Sequence, residues 1–516
     1  MSRKIFCLFA LCALLPCVQA MSQSGIVIER SQPMKTRDGI TLKADIYRPA
    51  GDGPFPVLLQ RTPYDKRNAE DFALEAIAHG FMVVVQDVRG RYTSEGEWYP
   101  FKHEIDDGYD AVEWAAALPH SNGKVGMFGG SYVGATQMLA AISNPPHLAG
   151  ICPVVTASNY HENWTYQGGA FEQWFNESWT SGLAQDTLNR EIHDDTNAVT
   201  GSTVLPLKQY PLYNTHLDPG ASTAKLAPYF LDWLAHPEYD AYWKQWSIEE
   251  NYANIHVPAL TIAAWYDIFQ GGSLRNYLGL RDHAGTEAAR KGQRLLVTIG
   301  GHAGGGQKIG DVDFGPAAND YNENAITIAW YEHLFLGKQN VFATTPVRIF
   351  VMGENKWRNE DAWPLQRAKE TRYFLQSAGN ANSAAGDGVL SAAVGRHEGA
   401  DSFVYDPANP VPTVGGPLCC DPSHLPAGPR DQREVEKRQD VLVYSTPPLA
   451  SDVEVTGPIA LDLFAKSSAV DTDFTAKLVD VWPNGFAQNL TEGIIRARYR
   501  ESTASSTPIE PGKVYE

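Results

Sequence analysis

Apolar positions along the first 150 residues follow two patterns. Residues 26–29 and 40–47 alternate apolar with polar side chains, the period of a strand with one wet face, around a turn at Arg37-Asp38-Gly39. Residues 56–60 and the run FMVVVQ at 81–86 are continuously apolar and rich in β-branched residues, which predicts strands buried on both faces. Between them, residues 72–79 have helical spacing and stop at Gly80, a residue suited to a helix C-terminus. A second helix is predicted over 106–118, with Tyr109, Val112, Trp114 and Ala115 among its apolar positions. A short strand follows at 124–129 and an apolar helix at 132–142. Strands alternating with helices predict a parallel sheet in a layered α/β fold.

The rhythm breaks between residues 158 and 248. Trp164, Trp174, Trp179, Trp233, Trp243 and Trp246 crowd a helical, loop-rich stretch that reads as a cap inserted over the α/β layer. Strands return at 259–264 and 294–299, and a helix at 325–336. Past residue 367 the texture is all-β, a sandwich or jelly roll, with alternating segments such as 441–444 and 459–465 between turns, and 379–395 as a surface loop. The predicted division is a signal segment over 1–20, an α/β domain in two parts (21–157 and 249–366), a helical cap over 158–248, and a C-terminal β domain over 367–516.

Composition adds limits. The 516 residues are enough for about three domains. Hydrophobic content of 43% supplies large cores and argues against disorder. A formal net charge of −18, from 42 basic and 60 acidic residues, repels nucleic-acid backbones and anionic lipid. Arg3 and Lys4, the apolar stretch 5–18 and Val18-Gln19-Ala20 form a signal-peptide pattern, so a secreted or periplasmic protein free of the membrane is expected after cleavage. Cleavage leaves Cys152, Cys419 and Cys420, too few for a disulfide framework. Cys419-Cys420 stand either as a vicinal disulfide or as two thiols in a loop. No Cys/His spacing suggests a metal site.

The chemistry gathers at Gly129-Gly130-Ser131-Tyr132-Val133-Gly134, between a predicted strand and a predicted helix. A sharp strand-to-helix turn there exposes a Ser hydroxyl above the sheet, as in the nucleophile elbow of α/β hydrolases. The second glycine comes one position later than in G-x-S-x-G, and Val133 takes its place. A Ser hydroxyl needs a base, and the base needs an orienter. Asp267 follows the strand at 259–264, and His302 follows the strand at 294–299, in that order and at strand ends where open α/β sheets build their sites. Asp267 would also suit a helix N-cap. The oxyanion donors expected are the Tyr132 N–H and a group after the first buried strand, where Tyr64 is a candidate.

The motifs RTPYDK (61–66), QDVRGRYTSEGEWYPF (86–101), GKVGMFGGSYVG (123–134), WYDIFQGGSLRNY (265–277) and IGGHAGG (299–305) together resemble the cocaine-esterase (CocE/NonD) family of α/β hydrolases, relatives of X-Pro dipeptidyl-peptidases and α-amino acid ester hydrolases. VEKRQDVLVYSTPPLASDVEVTGP (435–458) and LVDVWPNGFAQNLTEGIIRARYR (478–500) extend the resemblance through the β part. It implies Ser131 as nucleophile, His302 as base, Asp267 as orienter, and Tyr64 with the Tyr132 N–H as oxyanion hole. It also implies a helical cap and a C-terminal jelly roll of the X-Pro dipeptidyl-peptidase type.

Two departures shape the expected function. Amino-ester hydrolases of this family carry acids two and three positions after the triad Asp; here Phe269 and Gln270 stand there. An α-amino acyl substrate is therefore disfavoured at that point, although Glu162, Glu172 and Glu177 of the cap could supply carboxylates. The chain also stops at residue 516, where relatives continue with further strands, so the jelly roll looks incomplete and poor solubility is expected. The leading expectation is a serine hydrolase of small-molecule esters or amides, with Trp164, Tyr166, Trp174 and Phe269 lining an apolar acyl pocket. Activity should rise with pH as the His base loses its proton. Neither metal nor organic cofactor is expected, and the sequence does not speak to oligomeric state. The alternatives are X-Pro dipeptidyl-peptidase or acylase activity with the same triad and, from another class, a non-catalytic carbohydrate- or surface-binding protein.

Overall fold

The computed structural model describes residues 25–187, 189–190, 227–395, 399–420 and 424–516. The expected signal segment 1–20, and residues 191–226 of the expected cap, lie outside the described residues.

Ten strands form one mixed sheet. They are β1 (Ile26–Lys35), β2 (Thr41–Pro49), β3 (Phe55–Thr62), β4 (Met82–Asp87), β5 (Ser121–Gly130), β6 (Leu148–Val154), β7 (Leu260–Tyr266), β8 (Arg294–Gly301), β9 (Val347–Val351) and β10 (Lys356–Glu360). The spatial order is β1-β2-β4-β3-β5-β6-β7-β8-β9-β10. The run from β4 to β9 is parallel, and β1, β2 and β10 are antiparallel additions at the edges. All six residues of β4 are buried, as a continuous apolar run in a central strand requires.

Helices α1 (Glu70–Ala78), α2 (Glu104–Ala116) and α3 (Tyr132–Ile142) match the periodic segments to within two residues, and α3 coincides with the predicted span. In the cap stand α4 (Gln173–Thr187) and α5 (Pro228–Ala235). After β7 comes α6 (Gln270–His283), and after β8 comes α7 (Glu323–Leu336). Apolar residues of α2 and α3 share one core cluster with the cap aromatics Trp164, Trp179, Trp233 and Trp243. Those of α1 and α7 pack on the opposite sheet face. The cap therefore lies over the α2/α3 side, continuous with the core below it.

Three strands of this sheet were not anticipated. β6 carries Gly150 and Pro153, residues that argue against a strand. β9 and β10 close the far edge as a hairpin. Beyond residue 367 the structure differs from expectation locally. Segments 441–444 and 459–465 form only isolated bridges, Asn382 with Leu442 and Ala465 with Tyr515. Val453, Val455, Ile459, Leu461 and Phe464 are exposed there, because alternation makes a strand only where a neighbouring strand offers hydrogen bonds. Val389–Ser391, expected as loop, pairs instead with Phe374–Gln376. A long hairpin, β11 (Asp473–Val481) with β12 (Ala487–Arg496), anchors the region. No helix among the described residues is long and apolar enough to cross a membrane.

Candidate active site

At the C-terminal end of β5 the chain turns sharply into α3, and Ser131 occupies the turn with φ 61° and ψ −128°. A non-glycine residue with positive φ is strained and marks a built site. The turn needs small neighbours. A Cβ on Gly129 would stand 2.5 Å from Val133 Cγ1, and one on Gly134 would stand 2.8 Å from Thr156 Cβ. The second contact explains why a glycine follows one position later than the usual spacing: the helix turn at 134 abuts Thr156. That threonine donates its hydroxyl to the Ser131 carbonyl at 2.9 Å, and Ser131 N–H donates to the Val154 carbonyl at 2.9 Å.

Asp267 lies one residue past β7 and His302 one residue past β8. His302 Nε2 is 2.9 Å from Ser131 Oγ, and His302 Nδ1 is 2.7 Å from Asp267 Oδ1. Since a carboxylate only accepts, the neutral ring carries its proton on Nδ1 and offers the Nε2 lone pair to the Ser hydroxyl. Asp267 is buried, and its second oxygen accepts the Phe269 N–H at 3.0 Å. That second oxygen closes the turn ahead of α6, whose N-cap is Phe269 and carries no side-chain cap, so Asp267 is not the helix N-cap that the sequence also allowed. His302 is held in a tight turn by paired Gly301 and Gly304 backbone bonds of 3.1 and 3.2 Å.

The Tyr132 N–H is the first of α3, one of the donors that a helix start leaves without an internal acceptor. The Tyr132 ring is buried, and its hydroxyl accepts the Phe101 N–H at 2.7 Å and donates to Glu104 Oε1 at 3.0 Å. Glu104 in turn accepts from Arg61 at 2.6 Å, which fixes the first turn of α3 to β3. The Tyr64 hydroxyl reaches Ser131 and accepts the Trp179 indole N–H at 2.9 Å. Burial pushes its phenol up, so it stays a proton donor. Trp179, on α4, is a contributor that the sequence offered only as one tryptophan among several.

The cap side chains divide. Phe269 stands edge-on to the His302 ring at 5.1 Å, and Trp164 stacks on Phe269 at 4.5 Å; both are fully buried. Trp174 is half-buried against the same cluster. Tyr166 is committed to the cap interior, where its hydroxyl donates to the Trp233 carbonyl at 2.8 Å and its ring stacks on His161. Glu172 Oε1 is sealed from solvent without a hydrogen-bond partner. Burial first, then the neighbouring Glu162 and Asp267 carboxylates, push the Glu172 carboxyl well above the usual range. Glu162 moves the same way, mainly through burial.

The C-terminal domain closes the site's edge. Cys419 and Cys420 are joined as a vicinal disulfide, and Cys419 is buried in the cluster that holds Phe269 and Trp164. Tyr266, the residue before Asp267, donates its hydroxyl to the Asn489 carbonyl at 2.9 Å. Arg496 N–H donates to Gly168 of the cap at 2.8 Å.

Comparisons with known proteins report on the family. Residues 38–304 match the model of the X-Pro dipeptidyl-peptidase (S15 family), and residues 340–516 match the X-Pro dipeptidyl-peptidase C-terminal non-catalytic domain. Cocaine esterase of Rhodococcus sp. (strain MB1 Bresler) is 39% identical over 505 residues, covering 93% of this chain and 85% of that protein. Among solved structures, an aminopeptidase from the marine sediment archaeon Thaumarchaeota archaeon aligns with TM-score 0.75 and 25% identity over 95% of this chain and 85% of its own. An α-amino acid ester hydrolase aligns with TM-score 0.72 and 23% identity over 97% of this chain and 87% of its own, a likeness of fold.

Proposed function

The chain belongs to the X-Pro dipeptidyl-peptidase (S15) family and is a serine hydrolase, and from that premise we propose that it hydrolyses small-molecule esters through an acyl-enzyme on Ser131. The observation that carries this reading is the unbroken line from Ser131 Oγ through His302 to Asp267, at 2.9 and 2.7 Å. In the proposed reaction Ser131 Oγ attacks the carbonyl carbon while its proton passes to His302 Nε2. The oxyanion forms against the Tyr132 N–H and the Tyr64 O–H. Collapse expels the alcohol, which takes the proton from His302. Water then repeats the sequence and releases the acid. Asp267 holds the ring and offsets its charge at each imidazolium stage. Apolar acyl groups are favoured because Phe269 stands beside His302 with Trp164 stacked on it.

A fluorophosphonate probe tests the nucleophile. Labelling of the native protein, lost in Ser131→Ala, is the expected result; a folded native sample that resists the probe overturns the reading. Removing the nucleophile should lower hydrolysis of a p-nitrophenyl ester on the order of 10⁴-fold or more.

One observation favours a second reading, amides or esters bearing an α-ammonium group. Glu172 and Glu162 are partly buried carboxyls, Glu172 with Asp267 as a neighbour, and a cationic substrate would stabilise the ionised forms that burial disfavours. X-Pro p-nitroanilides compared with p-nitrophenyl esters separate the two, since only the second reading expects the anilides to be turned over. Export through residues 1–20 belongs to the same proposal. It predicts a mature N-terminus after Ala20 in the secreted or periplasmic fraction, read by mass spectrometry.

A further inference from the structure

The vicinal disulfide stands at the triad. Both Sγ atoms and a ring nitrogen of His302 lie within 4.8 Å of one another. Among the described residues this is the one such gathering of three or more His, Cys, Asp or Glu ligand atoms. Cys420 is exposed to solvent, so a reductant can reach the bond, whereas Cys419 is buried on the site side.

Joined to each other, the sulfurs are poor ligands. A dithiol reductant changes that: one of its thiolates attacks a cysteine sulfur, its second thiolate closes the reductant's own disulfide, and two electrons and two protons remain on Cys419 and Cys420. Thiolate and imidazole are the donor set that selects soft or borderline divalent cations. Ligands at about 2.0–2.3 Å from a tetrahedral ion stand roughly 3.3–3.8 Å apart. The ring nitrogen and the sulfurs therefore need to close by no more than about 1.5 Å, while the two sulfurs, bonded until reduction, part to that spacing, leaving the fourth position to water.

We propose that reduction of Cys419–Cys420 opens a site for a thiophilic divalent cation, built from the two thiolates and His302, and that filling this site stops hydrolysis. Binding releases the two thiol protons to solvent. The loss of hydrolysis rests on the proposed role of His302 as base. Nδ1 is held by Asp267 and Nε2 by Ser131, so a metal on either nitrogen takes a bond that the triad uses. In the oxidised protein the site does not exist, and the enzyme ignores the cation.

The test uses the full chain and cadmium, whose thiolate complexes absorb in the ultraviolet. The protein is reduced with a water-soluble phosphine, which takes up the oxygen of water as phosphine oxide and leaves no competing thiol. Cadmium titration should then raise thiolate-to-cadmium absorption to one ion per chain. Ester hydrolysis should fall at least tenfold in parallel and return on adding a chelator. The untreated protein should show neither change. Cys419→Ser/Cys420→Ser should lose the absorption, and its ratio of activity with and without cadmium should no longer depend on the reductant. Cys7, Cys12, Cys17 and Cys152 remain in that variant as the internal control for unrelated thiol binding. His302→Ala should weaken cadmium at least tenfold. No absorption in the reduced protein, or absorption undiminished in the double serine variant, overturns the proposal. Cadmium bound through His302 with hydrolysis intact would support the site and overturn His302 as the base.

Discussion

Around the C-terminal ends of β3 and β4, buried charges meet partners. Arg61 contacts Glu104 at 2.6 Å, Lys66 contacts Asp87 at 3.0 Å, and Arg89 reaches both Asp107 and Asp38, at 2.6 and 2.8 Å. In the cap, titratable groups are kept uncharged instead. Burial lowers the His161 pKa to about 4, pushes Glu177 up to about 8 and, with smaller help from nearby carboxylates, raises Glu172. Pairing fixes geometry, and the network through Glu104 holds the helix that starts beside Ser131. Neutralisation fixes nothing by direction, but it spares the apolar roof an uncompensated charge. One region is a frame, and the other is a lining whose charge state depends on pH.

The largest effect should come from unpairing the frame. Arg61→Met leaves Glu104 and Asp107 buried with less compensation and should cost about 3–5 kcal/mol, read from the denaturant midpoint. A variant as stable as the native protein would break the distinction.

His161 comes next. Its folded pKa lies below the unfolded value, so the unfolded chain binds the extra proton between pH 6.5 and about 4, and stability falls as pH drops through that window. The loss should approach about 3 kcal/mol at pH 4, and His161→Gln should remove most of this slope.

Glu177 has the opposite sign. Its folded pKa is raised, so its contribution is whole below the usual value of 4.5 and is lost as pH climbs towards 8. Glu177→Gln should therefore gain on the order of 1–3 kcal/mol over the native protein above pH 8 and little at pH 4.5.

The smallest effect joins the two regions. Trp179→Phe removes the indole donor to Tyr64 and should lower kcat about five-fold with KM nearly constant, as the loss of one hydrogen bond worth ~1 kcal/mol implies.

The frame was legible in the sequence because its signals are local. Buried strands such as 81–86 and the helix after Ser131 declare themselves by composition and period, and Asp267 and His302 by following two such strands. β6 was not legible, since Gly150 and Pro153 are read as breakers and one of its two partners, β7, is distant in sequence. The lining was less legible still. Six tryptophans mark an aromatic region but carry no period that says which one reaches Tyr64. The segments 441–444 and 459–465 misled for the reverse reason, because alternation was present and pairing partners were not. The neighbourhood of His302 and Cys419–Cys420 is tertiary, and no spacing announces it.

The tie between Tyr266 and Asn489 has a consequence for modularity. The matching family model names the C-terminal domain non-catalytic, and the residues of the proposed triad do lie outside it. Yet Tyr266 immediately precedes Asp267, and its hydroxyl is fastened to a backbone carbonyl of β12. The aim of the Asp267 carboxylate, the orienter of the proposed triad, is thus set partly by a domain that contributes no atom to that triad. Excising that domain would not yield a smaller enzyme with the same site; it would unfasten the strand end on which the His302 ring is oriented.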